Sequence, residues 1–129
     1  MGVDAILSER TLREIYVKGF EIAVKSSQPM AIMTSYNLIN GLHTANTYDL
    51  CTALARDEWD FEGLVMTDWT TTNQGPDCTA SGCLRAGNDL IMPGRQSDHD
   101  ELNQALDNGT LTMDELQRSV WRLVKALKK

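Results

Sequence analysis

Three short apolar runs separated by stretches of helical periodicity predict an α/β fold with a parallel sheet, about three strands flanked by helices. The runs are residues 30–36, 63–67 and 90–92, and none alternates apolar with polar residues, the pattern of strands buried on both faces. Each run gives way to polar chemistry: Tyr36-Asn37, Asp68-Trp69, and Met92-Pro93 leading to Arg95. Right-handed crossovers place all three of these ends on one rim, where loops of parallel α/β folds build their sites. An antiparallel alternative needs hairpin turns, which the sequence is read as lacking.

Taken in order, Ser8 can cap a helix over residues 9–25, whose apolar stripe is Leu12, Ile15, Tyr16, Gly19, Phe20, Ala23 and Val24. Pro29 stops it and the first strand follows. Asn40-Gly41-Leu42-His43 is loop chemistry, and Asn46 or Thr47 can cap a helix that carries Leu50, Ala53 and Leu54 inward as far as Trp59. The central strand then ends at Asp68. A polar loop of about a dozen residues, including Gln74, Gly75 and Pro76, is long enough to suggest a working loop. A short helix over residues 78–86 closes at Gly87, a left-handed cap. After the third strand, Asp98 with Glu101 and Thr112 with Glu115 have capping-box spacing for two helices. The last helix carries Leu116, Val120, Leu123, Val124 and Leu127, and Lys125, Lys128 and Lys129 suit its C-terminus.

The 129 residues are 42% apolar and 23% charged, ordinary for one globular domain. Eighteen acids against 12 bases, a net charge of −6 without long single-sign blocks, argue against a nucleic acid or an anionic membrane as partner. No run approaches the roughly 20 apolar residues of a membrane span, and the N-terminus lacks a secretory pattern, so the expectation is a soluble, cytoplasmic chain. Cys51, Cys78 and Cys83 match no zinc spacing and lie far in sequence from His43 and His99, so they read as free thiols, with no metal and no cofactor expected.

Asp68 is badly located for packing and well located for chemistry. On position alone it reads rather as a strand-end acid that caps the next loop or pairs with a lysine, and Trp69 as a packing aromatic, while Tyr36 equally fits a core tyrosine with a satisfied hydroxyl. Asp89 reads as a turn or strand-start residue, Glu58 and Glu62 as solvated helix-end acids, and His43 and His99 as surface residues. A strand-end acid also suits a phosphoacceptor receiver domain, but the acidic pair and the lysine of that site are missing, the first strand ending in Tyr36 and the third in Pro93.

Four linked stretches carry a resemblance. They are Ser8-Glu9-Arg10-Thr11-Leu12-Arg13-Glu14-Ile15-Tyr16; Met33-Thr34-Ser35-Tyr36-Asn37 with Asn40-Gly41; Arg56-Asp57-Glu58-Trp59-Asp60-Phe61-Glu62-Gly63 running into Met66-Thr67-Asp68-Trp69; and Ala86-Gly87-Asn88-Asp89-Leu90-Ile91-Met92-Pro93. In this order they resemble the later, C-terminal portion of the (β/α)8 barrel domain of glycoside hydrolase family 3, over nearly the whole chain. The resemblance implies a partial TIM-barrel-like domain over residues 1–129, the last three of about eight β/α units. It further implies a retaining β-glucosidase-type hydrolase of terminal β-linked sugars, with Asp68 as nucleophile, Trp69 as an aromatic wall beside the sugar, and the Tyr36 hydroxyl near the nucleophile.

Retaining hydrolysis needs a second carboxyl about 5 Å from the nucleophile to protonate the leaving oxygen. Nothing in this sequence matches the family's acid/base, usually carried by a second domain, nor its substrate-binding arginine and lysine-histidine pair from earlier strands. The chain alone is therefore expected to be inactive; a non-catalytic structural or interaction fragment is the alternative. Its partners would be a β-glucoside or oligosaccharide and the remainder of the enzyme. Asp60 stands where the family commonly has glycine. Three strands cannot close a barrel, so the faces of Ile32, Val65 and Ile91 are expected to lie open and to favour self-association into a homo-oligomer.

Overall fold

The computed structural model describes residues 2–73 and 77–128. Gln74, Gly75 and Pro76 of the expected working loop, and Lys129, lie outside them. The architecture is a partial TIM-barrel-like unit of parallel strands flanked by helices. In the barrel-like part, β2 (Ala31–Met33) pairs in parallel with β5 (Leu64–Met66), Ile32 facing Val65. The pairing extends by one bond at each end, Leu64 N donating to Met30 O and Thr34 N to Met66 O. The third strand is reduced to a single parallel bridge between Met66 and Leu90. Its ladder stops because Met92 N donates to the side-chain oxygen of Thr67, at 2.9 Å, instead of to a backbone carbonyl.

A second small sheet was not foreseen. β1 (Asp4–Ala5) lies parallel to β3 (Leu38–Ile39), which pairs antiparallel with β4 (Leu42–His43). The β3–β4 turn is Asn40-Gly41, with φ of 52° and 82°, the left-handed pair that closes a two-residue hairpin. The sequence therefore does carry a hairpin turn, although none of the three barrel-like strands uses it.

The first helix is not uniform. α1 (Glu9–Thr11), capped by Ser8, passes through a π-helical turn at Leu12–Tyr16 into α2 (Lys18–Ser27). The bond from Val17 N to Leu12 O, five residues back, inserts one residue into the periodicity and rotates everything after it. The expected stripe accordingly fails: Val24 is buried, but Ile15, Tyr16, Gly19, Phe20 and Ala23 are exposed. The helix at Asp49–Glu58 is also π-helical, and it buries Cys51, Leu54 and Ala55, followed by Trp59. Neither Asn46 nor Thr47 caps it. Thr47 Oγ1 turns back to His43 O, and buried His43 accepts from Ala45 N through Nδ1 to cap a short turn at Thr44–Asn46.

The central core joins Val24 to Cys51, Leu54, Ala55, Trp59, Phe61, Val65 and Ala86. Val65 is thus covered by the chain's own helices, contrary to the open face expected of it, while Ile32 and Ile91 are half-buried. Gly63 is required by close approach: a Cβ there would stand 2.6 Å from the carbonyl oxygens of both Pro29 and Met30. Asp60 adopts φ 56°, the left-handed conformation that aspartate tolerates better than most residues.

α3 (Ala80–Ala86) begins at Thr79 and ends at Gly87, φ 114°, as expected. α4 (Gln96–Asp107) starts earlier than its sequence signal. Arg95 is its cap, Asp98 accepts from Arg95 N, and Glu101 instead binds Ser81 through both backbone and hydroxyl. α5 (Met113–Leu127) has the expected Thr112 and Glu115 box, but Val120, Val124 and Leu127 of its stripe are exposed and Ser119 is the buried position.

Candidate active site

The site grows from the end of β5. Thr67, fully buried, donates its N–H to Leu90 O (3.0 Å) and accepts from Met92 N, which locks the strand end against the adjacent segment at residues 90–92. The next residue, Asp68, emerges half-buried, and its Oδ1 accepts the N–H of Trp69 at 2.7 Å. Trp69 is 54% exposed, whereas Trp59 in the core is 6% exposed, so the ring of Trp69 is displayed rather than packed.

Thr70 follows with φ 62°, a costly conformation for a β-branched residue, and its N–H donates to Met92 O at 2.8 Å. Thr72 donates to Asp98 Oδ1 at 2.6 Å, tying the short turn at Thr71–Asn73 to the start of α4. The segments after two adjacent strands are therefore bolted together immediately past Asp68 and Trp69. The bonds that Thr67, Thr70 and Asp98 make here join residues 22–26 apart, so no local pattern in the sequence marks them.

Tyr36 arrives from the loop after β2, and its hydroxyl donates to Trp69 O at 2.5 Å. Desolvation raises its pKa most, and hydrogen bonding to Asp68 and the charge of that carboxylate push it further in the same direction. Tyr36, Asp68 and Trp69 thus converge on one rim, as the sequence predicted.

Asp89, Glu58 and Glu62 lie elsewhere. Asp89 is buried at the opposite end of the strands, its Oδ2 accepting from Arg56 Nη2 (2.5 Å) and Val65 N (2.9 Å) and its Oδ1 from Arg122 Nη1 (3.2 Å). Burial lowers the Arg56 pKa, and Asp89 opposes that shift. Glu58 takes a two-pronged pair from Arg13 at 2.6 and 2.9 Å, and Glu62 faces Lys125 at 3.9 Å. His43 is buried, against expectation, and His99 is exposed on α4. Among the described residues no group of three or more His, Cys, Asp or Glu side chains could hold a metal ion, and no helix is long and apolar enough to cross a membrane.

Residues 3–126 match the family model described as the glycosyl hydrolase family 3 N-terminal domain. The chain belongs to this family. It is 44% identical over 124 residues to a β-glucosidase of Ruminococcus albus, covering 91% of this chain and 13% of that protein. It is 43% identical over 129 residues to an exo-α-(1→6)-L-arabinopyranosidase of Bifidobacterium breve, covering 100% and 16%. Its fold superposes on β-glucosidase 3B of Thermotoga neapolitana with a TM-score of 0.88 at 43% identity, over 97% of this chain and 18% of that one. The chain thus spans less than a fifth of the length of each of these relatives.

Proposed function

We propose that this chain is the last three β/α units of a family 3 barrel and that it contributes the nucleophile, Asp68, of a retaining β-glycosidase. The observation that carries the reading is Asp68 at the C-terminal end of β5, beside an exposed Trp69 and within the reach of the Tyr36 hydroxyl. An ionised carboxylate so placed can attack the anomeric carbon, Trp69 offers an aromatic face to the sugar ring, and Tyr36 orients the carboxylate.

The acid/base comes from outside this chain. Glu62 precedes Asp68 by six residues, about 20 Å along an extended strand. Asp89, one residue before the Leu90 that pairs with Met66, is level with Val65 and three residues, about 10 Å, short of Asp68. Both distances exceed the roughly 5 Å of a retaining pair. A β-glucoside is the proposed substrate. Nearly equal identity to relatives named for a glucosidase and for an arabinopyranosidase supports placing the choice of sugar in residues beyond this segment.

The test uses an aryl β-glucoside with a good leaving group. The longer polypeptide carrying the rest of the barrel should hydrolyse it, its Asp68→Ala variant should lose several powers of ten in kcat, and the 129-residue chain alone should show no turnover. Near-normal turnover by Asp68→Ala would overturn the assignment. Turnover by the chain alone within about a hundredfold of the intact enzyme would show that a second acid is present in it.

A further inference from the structure

Cys78 and Cys83 are brought together by the fold beside the loop that follows Trp69. Cys78 lies just before α3, whose cap Thr79 accepts from Gly82 N, and Cys83 lies on its first turns with its N–H bonded to Thr79 O. The two sulfurs are 3.6 Å apart, and both face Oδ1 of Asn46, at 3.6 Å from Cys78 and 3.3 Å from Cys83. Asn46 is itself held by its amide bond to Asp77 O, and it fits there because residue 82 is glycine: a Cβ would stand 2.6 Å from its Nδ2. One acceptor therefore gathers two thiols in a small apolar pocket shared with Ala45 and Ile91. Cys51 differs. It is equally buried but stands apart, directed at Thr44 O, and burial pushes its thiol up to about 12.

We propose that Cys78 and Cys83 form an intrachain disulfide when the protein meets a small-molecule disulfide such as oxidised glutathione. A disulfide needs the sulfurs about 2.05 Å apart, a closure of roughly 1.5 Å that side-chain rotation can supply. The thiolate of Cys78, which is buried at 3% exposure against 0% for Cys83, attacks one sulfur of the oxidant, forming a mixed disulfide and releasing one thiol. The Cys83 thiolate then attacks Cys78 Sγ and expels the second thiol. Two protein S–H bonds are lost, one S–S bond is made, and the oxidant is reduced to two thiols, which take up the protons. The reaction is slow, since hydrogen bonding from Cys78 and burial both raise the Cys83 thiol. The product ties the loop, ten residues past Asp68, to the first turn of α3.

The experiment oxidises the folded 129-residue chain with excess oxidised glutathione, then denatures it, alkylates it and maps its peptides by mass. The expected product is about 2 Da lighter before alkylation, keeps only Cys51 of its three thiols free, and yields a Cys78–Cys83 linked peptide that dithiothreitol reverses. Cys83→Ser should trap glutathione on Cys78. Three alkylated thiols, a persistent glutathione adduct in the unmutated chain, or any link to Cys51 would overturn the proposal, and the mapping of the unmutated chain decides whether or not the variant folds.

Discussion

Asp68 and Asp89 lie on neighbouring parallel strands and could hardly be treated more differently. Asp89 is buried with a backbone donor and two arginines, Arg56 from the helix before β5 and Arg122 from α5. Every oxygen is engaged, and the network joins three elements at the N-terminal ends of the strands. Asp68, at the C-terminal end, is half-exposed, and its Oδ1 accepts from the N–H of the next residue in the chain. One end of the sheet uses a carboxylate to hold the fold together, while the other leaves a carboxylate available. This is the division of labour of barrel folds, with stability at the bottom face and chemistry at the top.

The widest separation between the two should appear on truncation. Asp89→Ala leaves two buried guanidiniums and the Val65 N–H without their partner and should cost about 3–5 kcal/mol in urea denaturation. Asp68→Ala should change stability by no more than about 0.5 kcal/mol. Equal losses for the two would erase the distinction. Tyr36→Phe sharpens it from the other side. Loss of the hydroxyl that faces Asp68 and Trp69 O should lower kcat/KM of the intact enzyme about tenfold or more, for only about 1 kcal/mol of stability.

Much of this was legible in the sequence because it is local. Ser8, Thr112 with Glu115, and Gly87 are short-range caps, and each forms as read. Asp68, Trp69 and Tyr36 stand out in the sequence because strand ends are marked by a change from apolar to polar residues, and their roles as a site are implied by the family resemblance. The π-helical turns were not legible: Leu12–Tyr16 has the same apolar spacing as an α-helix, and the inserted residue shows only in the exposure of Ile15 and Phe20. Nor was the Arg56–Asp89–Arg122 network, because its members are 33 residues apart on either side of Asp89 and their pairing is made by packing.

A small gain in stability is expected at the turn that delivers the chain to β5. Asp60, at φ 56°, is coupled to Gln28, at φ 45°, whose side chain donates to Asp60 O and accepts from Glu62 N. Asp60→Gly relieves the left-handed backbone and should raise stability by about 0.5–1 kcal/mol in thermal unfolding, with no change at the rim. A loss of stability would mean that the aspartate side chain, rather than its backbone, holds the turn.

The most direct measurement is to trap the covalent intermediate. A 2-fluoro glucoside with a good leaving group is incubated with the longer polypeptide that carries the rest of the barrel, and the labelled peptide is sequenced by mass spectrometry. One fluoroglucosyl group is expected, esterified to Asp68 and absent from the Asp68→Ala variant. A label on any other carboxylate, or hydrolysis that proceeds with no covalent intermediate, would contradict it.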